Sequence, residues 1–190
     1  EKRKAAALGL KERRLDELRQ LDMPKVRLDI VFTEKPMDSK GVDAVSFEMS
    51  TNPGESLRPI NKIASGGELS RIMLALKTVL AENDEIGTLI FDEVDTGVSG
   101  KAAQKIGAKL KEVARHRQVI SVTHLPQVAA YADTHLKISK DTDGTRTAIK
   151  VTSLSRAERI DEVARIISGE NITEASRRHA EEMIDMAARS

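Results

Sequence analysis

The sequence predicts an α/β fold, with a mainly parallel sheet flanked by helices, on three observations. A short apolar run, Thr88–Phe91, leads into a helical stripe of Ala103, Ile106, Gly107, Leu110 and Val113, and then into a second apolar run, Val119–Thr123. Strand, helix and strand in that order form a crossover unit, which brings the two strands into parallel pairing. Upstream, Leu69, Ile72, Met73, Leu76, Val79 and Leu80 recur at the spacing of one apolar helix face. Finally, Val45, Phe47 and Met49 alternate with polar neighbours, the period of a half-buried strand. At 190 residues the chain falls within the usual size of one domain. Aromatic residues make up 2% against 39% hydrophobic, so the core must be aliphatic.

The elements follow in order. Residues 1–23 are rich in Lys, Arg, Glu, Ala and Leu; Leu8, Leu15 and Leu18 fit the a and d positions of a heptad, while Lys11 interrupts the seam. The pattern suits the end of a coiled coil or an amphipathic surface helix equally well. Pro24 ends this helix. Val26–Thr33 and Asp43–Ser50 read as strands, with Gly41 in the turn region between them. Asn52-Pro53-Gly54 marks a turn, and Glu55–Ala64 reads as a loop. Beyond the crossover unit, His135–Lys140 and Thr145–Leu154 flank Asp141-Thr142-Asp143-Gly144, a hairpin signal. Two helices close the chain. Ser155 and Glu158 form a capping box for the first, Gly169 ends it, and Thr173 caps the second.

Three motifs carry candidate chemistry. Ala64-Ser65-Gly66-Gly67-Glu68-Leu69-Ser70-Arg71 is a helix start in which Ser65 caps and Glu68 completes a capping box. Each glycine weakens a first turn by roughly 1 kcal/mol relative to Ala. Close approach of a ligand to the backbone is one reason to accept that cost, since free amides at a helix N-terminus attract phosphate oxygens. An ordinary capped helix has the same look. Leu89-Ile90-Phe91-Asp92-Glu93 ends a strand in two carboxylates, and ligands of parallel sheets bind beyond the carboxyl ends of strands. Of such a pair, one carboxylate can hold Mg²⁺ and the other can deprotonate a water. Val119–Thr123 leads to His124, which can donate a hydrogen bond to a phosphate. His116, His135 and His179 have no metal-ligand spacing. The stretch Asp95–Ala102 is not a phosphate-binding P-loop, because that motif needs Gly at position 95 and Ser or Thr at position 102. No other segment matches it.

Taken jointly, ASGGELSR, LIFDEVDTGVSG and VISVTH resemble the signature motif, the Walker B strand with its D-loop, and the switch histidine of an ABC-type ATPase head. NPGESLRPINKIASGGELSRIMLALK, FDEVDTGVSGKAAQKIG and VTHLPQVAAYADTHLKISK resemble more closely the RecN family of bacterial SMC-like DNA-repair ATPases, and the likeness covers essentially the whole chain. The resemblance implies the C-terminal lobe of an ABC/SMC-type P-loop NTPase head. Residues 1–23 would be the end of the coiled-coil helix and 24–190 the lobe itself. It further implies Glu93 as catalytic base, Asp92 as the Mg²⁺ residue and His124 as γ-phosphate sensor. Ser65, Gly66, Gly67 and Glu68 would face ATP held by an opposite head, and Asp95 would lie in the D-loop that crosses the dimer interface. The Walker A loop would come from an N-terminal lobe of the same protein. That agrees with a chain that starts at Glu1 inside a helix, as a fragment of something longer would.

The partners so implied are that N-terminal lobe, a second head in a homodimer, DNA and the recombinase machinery. The net charge of +1 gives the chain as a whole no general attraction for nucleic acid. Lys101, Lys105, Lys109 and Lys111 form the one candidate patch, and a solvated helix face accounts for them as well. With no cysteine and no apolar run near 18 residues, the expectation is a cytoplasmic protein without a membrane span, and the resemblance implies association with the nucleoid. Two other functions fit the residues: a non-catalytic interaction module, and the head lobe of another SMC- or RecF-like protein.

Overall fold

The computed structural model describes residues 1–62, 66–79, 86–142 and 147–189, and side chains throughout these except at 12–14, 141, 142 and 147. Ser65, Leu80 and the Asp143-Gly144 turn therefore lie outside the described residues. The chain divides into two compact units, Glu1–Val98 with Glu112–Val122, and Ser99–Lys111 with Thr123–Ser190.

The first unit opens with α1 (Lys2–Gln20). Its end is built by Asp22, which adopts φ +63, while the Met23 amide donates to the Leu18 carbonyl at 3.1 Å. This six-to-one bond and left-handed residue resemble a Schellman stop, with Asp22 in the place where glycine is usual. Pro24 then prevents further helix. Leu18, Leu21 and Met23 are buried, whereas Leu8 is 68% exposed, so only the C-terminal end of α1 joins the core. Lys11 pairs with Asp29 at 2.9 Å.

Strands β1 (Arg27–Asp38) and β2 (Gly41–Ser50) pair antiparallel, with a register shift between Glu34 and Asp38. Gly41, at φ +94, supplies the backbone that the tight return requires. The loop expected at Glu55–Ala64 contains a short third strand, β3 (Arg58–Pro59), and a 3₁₀ turn, Ile60–Lys62. The two residues of β3 pair with Glu48 and Met49. Proline is tolerated there because an edge strand need not donate on its outer side.

Next come α2 (Gly66–Val79) and β4 (Thr88–Phe91). The buried face of α2 carries Gly67, Arg71, Ile72, Leu74 and Ala75. It is rotated from the apolar stripe read in the sequence, and Met73 is 37% exposed. The reason is local: two side chains and a glycine near the start of α2 are fixed against the turn after β4, as described below. Strand β5 (Gln118–Ser121) pairs parallel with β4 in the register Thr88↔Gln118 to Phe91↔Ser121. One face of this pair buries Leu89 and Phe91. The other leaves Ile90, Ile120 and Val122 at 70%, 44% and 54% exposure.

The connecting helix α3 (Gly100–Ala114) begins in the second unit. There Gly107 lies against the Tyr131 ring and the Gln127 carbonyl. A four-residue helix, α4 (Pro126–Ala129), follows the loop after β5. Strands β6 (Leu136–Thr142) and β7 (Thr147–Ser153) pair antiparallel. Helices α5 (Arg156–Ser168) and α6 (Glu174–Ala188) each start with a complete capping box, Ser155 with Glu158 and Thr173 with Ser176. Ala129, Ala130, Val163, Ala164, Ala180, Ile184 and Ala187 form this unit's core. Small residues dominate it, which lets helix backbones approach closely. The α/β class stands. Among the described strands the parallel component is β4–β5, and the other pairings are antiparallel because those strands follow one another through short connections.

Candidate active site

The site is assembled where β4 ends. Asp92 and Glu93 follow the last strand residue, and both side chains are exposed. The chain then turns through Val94 and Asp95, both buried, the latter at 1% exposure. The Thr96 amide donates to the Glu93 carbonyl at 3.0 Å, and Gly97 takes φ +76. Glu93 itself sits at φ +57. A left-handed conformation costs a non-glycine residue about 1–2 kcal/mol, and it survives only where neighbours enforce it.

Those neighbours belong to α2. Ser70 Oγ donates to the Asp92 carbonyl at 2.7 Å. Arg71 Nη1 donates to the Thr96 carbonyl at 2.8 Å. Gly67 is so close to the turn that a Cβ there would meet the Glu93 carbonyl, the Thr96 carbonyl and Thr96 Cβ, each at 3.1 Å. A Cβ on Gly66 would collide with a carboxylate oxygen of Glu93. Both glycines thus have a reason within the chain itself, namely close approach to residues 93–96. The Glu93 carboxylate lies over the N-terminus of α2, where amides and helix dipole favour negative charge.

Of the residues singled out in the sequence, Gly66, Gly67, Asp92, Glu93 and Asp95 meet in this one place. Glu68 is on the first turn of the same helix. Ser65 lies outside the described residues. Asp95, in the segment expected to be the D-loop, is buried. His124 belongs to the second unit, exposed in the loop between β5 and α4, where the Leu125 amide donates to Thr123 Oγ1 at 3.1 Å. Of the lysines on α3, Lys111 pairs with Asp133, and Lys101 and Lys105 are exposed. No group of three or more His, Cys, Asp or Glu among the described residues is arranged to hold a metal. The exposed Asp92 carboxylate nevertheless suits Mg²⁺ bound in the way that ion prefers, through one or two carboxylates completed by substrate phosphates and water.

Sequence reasoning gave no role to Ser70, Arg71 or Thr96. Arg71 is 7% exposed. A cation one position before Ile72, on the side of the helix that carries Gly67 and Ala75, was the available signal.

No protein-family model matches the chain. Among curated proteins it is 47% identical to the DNA repair protein RecN of Halalkalibacterium halodurans, over 97% of this chain and 34% of that protein. It is 48% identical to RecN of Bacillus subtilis over 80% of this chain and 26% of that one. RecN of Rickettsia conorii is 46% identical over 97% and 34%. The chain thus spans about a third of the length of these relatives. Among solved structures, the Smc head domain from Pyrococcus yayanosii superposes with a TM-score of 0.61 at 22% identity, covering 87% of this chain and 30% of that one. The corresponding Pyrococcus furiosus head gives 0.57 at 23%, covering 87% and 39%. A structure concerned with ATP-driven dimerisation of SMC ATPases gives 0.53 at 20%, covering 88% of this chain and 96% of that one. These structural likenesses establish an SMC head fold, and over nearly its whole length the chain is similar in sequence to a segment of the RecN DNA repair proteins.

Proposed function

We propose that this chain is the C-terminal lobe of the ATPase head of a RecN-type DNA double-strand-break repair protein. On this reading residues 1–23 are the returning end of a coiled coil and 24–190 form the lobe. The observation that carries the reading is the convergence of the Asp92-Glu93 pair with the glycine-rich start of α2. On this reading a general base and an anion-binding helix terminus lie side by side.

Each lobe then serves two nucleotides. The amides of Gly66 and Gly67, with Ser65 and Glu68, face the γ-phosphate of ATP bound to a second head. Glu93 accepts the proton of the water that attacks the γ-phosphate of the ATP on its own head, and His124 hydrogen-bonds that phosphate. Asp92 would hold Mg²⁺, which offsets the charge that develops on the phosphate oxygens. A phosphate arriving at Gly66 meets the Glu93 carboxylate, and like charge drives that side chain off the helix terminus. ATP gains the contacts to the second head only in the closed dimer, so it has higher affinity for that state than for separate heads, and hydrolysis reopens it.

The phosphate cradle is supplied by an N-terminal lobe of the same protein. The uncovered apolar face of β4–β5, with Ile90, Ile120 and Val122, supports such a complement. DNA and the recombinase machinery are further partners on this reading, in the cytoplasm at the nucleoid. No described helix is long and apolar enough to cross a membrane.

The test is reconstitution. The chain alone should not hydrolyse ATP, and combined with its N-terminal lobe it should do so slowly. Glu93→Gln should remove turnover while ATP-bound dimers accumulate in size-exclusion chromatography with light scattering. Full turnover by the assembled Glu93→Gln head would refute the assignment of the base.

A further inference from the structure

Arg71 is a cation with no carboxylate partner at hydrogen-bonding distance among the described residues. Its Nη1 donates to a main-chain carbonyl, that of Thr96, at 2.8 Å. Its Nε is buried without a hydrogen bond, and the residue as a whole is 7% exposed. Burial pulls its proton affinity below the ordinary arginine value, against the fields of Glu68 and Asp22. A buried guanidinium in such surroundings is a poor device for stability, since an apolar side chain would fill the space without the desolvation cost. What it does supply is a fixed donor aimed at the turn in which Glu93 is held at φ +57.

We propose that Arg71 is a positioning residue for hydrolysis, which fixes the Glu93–Thr96 turn through the Thr96 carbonyl and thereby aims the Glu93 carboxylate. Ser70 secures the other end of the same turn through the Asp92 carbonyl at 2.7 Å, and Gly67 backs it from α2. With the turn tied at Asp92 and Thr96, Glu93 has no freedom to relax into the right-handed region. Asp22, the carboxylate at the end of α1, makes Arg71 the group at which α1, α2 and the hydrolytic turn meet electrostatically. The proposal rests on the reading of Glu93 as the base.

The experiment uses the full-length parent protein. Arg71→Met should lower kcat for ATP by about 10- to 100-fold, the usual consequence of misplacing a reacting group, with KM for ATP within about twofold. ATP-bound dimers should accumulate as they do for Glu93→Gln, and Arg71→Lys should restore part of kcat. If Arg71→Met is not folded in a thermal melt, Arg71→Gln, which keeps a donor of shorter reach, carries the same measurement with the same expected split. An unchanged kcat overturns the proposal. So does a loss of ATP binding and dimerisation in parallel with kcat, which marks a purely structural role. Glu93→Gln is run alongside: if it retains turnover, the base assignment fails and this inference with it. If it loses turnover while the Arg71 variants keep theirs, Arg71 alone is refuted.

Discussion

Two adjacent glycines do different work. A methyl group at Gly66 meets the far end of the Glu93 side chain, which can swing away, whereas one at Gly67 meets main-chain atoms of Glu93 and Thr96 that cannot. Gly66→Ala should therefore leave stability nearly unchanged while displacing the Glu93 carboxylate. Gly67→Ala should cost about 1–3 kcal/mol by overpacking. Chemical denaturation of both variants checks the contrast, and equal losses would contradict the geometry. Glu93 gives a second test at this scale. Asn tolerates a left-handed backbone better than Glu, so Glu93→Asn should hold or raise stability by up to about 1 kcal/mol while removing turnover. A destabilised Glu93→Asn would mean that the φ of +57 is not strained. Both outcomes follow from backbone conformation and neighbours three dozen residues apart or less, none of which a motif reveals.

Among the elements, α5 and α6 show how much local sequence can do. Ser155, Glu158, Gly169 and Thr173 announce the helix ends, and the structure places the Ser155 capping box, the Thr173 cap and a Gly169 at φ +72 where they were expected, and adds Ser176 as the partner that completes a second box. Thr173→Ala should cost about 1 kcal/mol and fray the first turn of α6, visible as faster amide exchange there. The pH response of α5 has a definite sign. Glu158 is held below the ordinary carboxyl range by the Ser155 hydroxyl and then by the Ser155 amide. Glu162 feels burial pushing its carboxyl up and, more strongly in sum, Arg165 and Lys137 pulling it down. Arg165 Nη2 reaches Glu162 Oε1 at 2.6 Å. Carboxyls held low in the folded state add stability that is present above their unfolded pKa and drains away as pH falls through the folded value. The unfolding midpoint should therefore fall below about pH 4.5, and Glu162→Gln should flatten that slope. The helix α2 is the contrasting case. Its glycine-rich start was legible, but its inward face was not, because tethers to the 92–96 turn outweigh the apolar periodicity.

For the whole molecule, the exposed face of β4–β5 is the feature with most consequence. Three branched apolar residues on a parallel pair are unusual at a surface, since parallel sheets are normally covered on both faces. If another lobe of the parent protein covers them, Ile90→Lys should leave the isolated chain folded and should prevent its co-purification with that lobe. Undiminished co-purification would place the contact elsewhere. The parallel pairing itself was foreseeable from the order strand, helix, strand, as were the boundaries of β4, because a run of apolar residues that ends abruptly in two carboxylates has one reading. Asp92, Glu93, Gly66 and Gly67 stood out as candidates by type and order, since chemistry restricts which residues can serve. Their convergence was not, nor were the burial of Asp95, the left-handed Glu93 and the tether through Arg71. These arise from contacts between segments more than twenty residues apart, where the cost of a strained backbone or a buried cation is borne by neighbours that the linear order does not bring together.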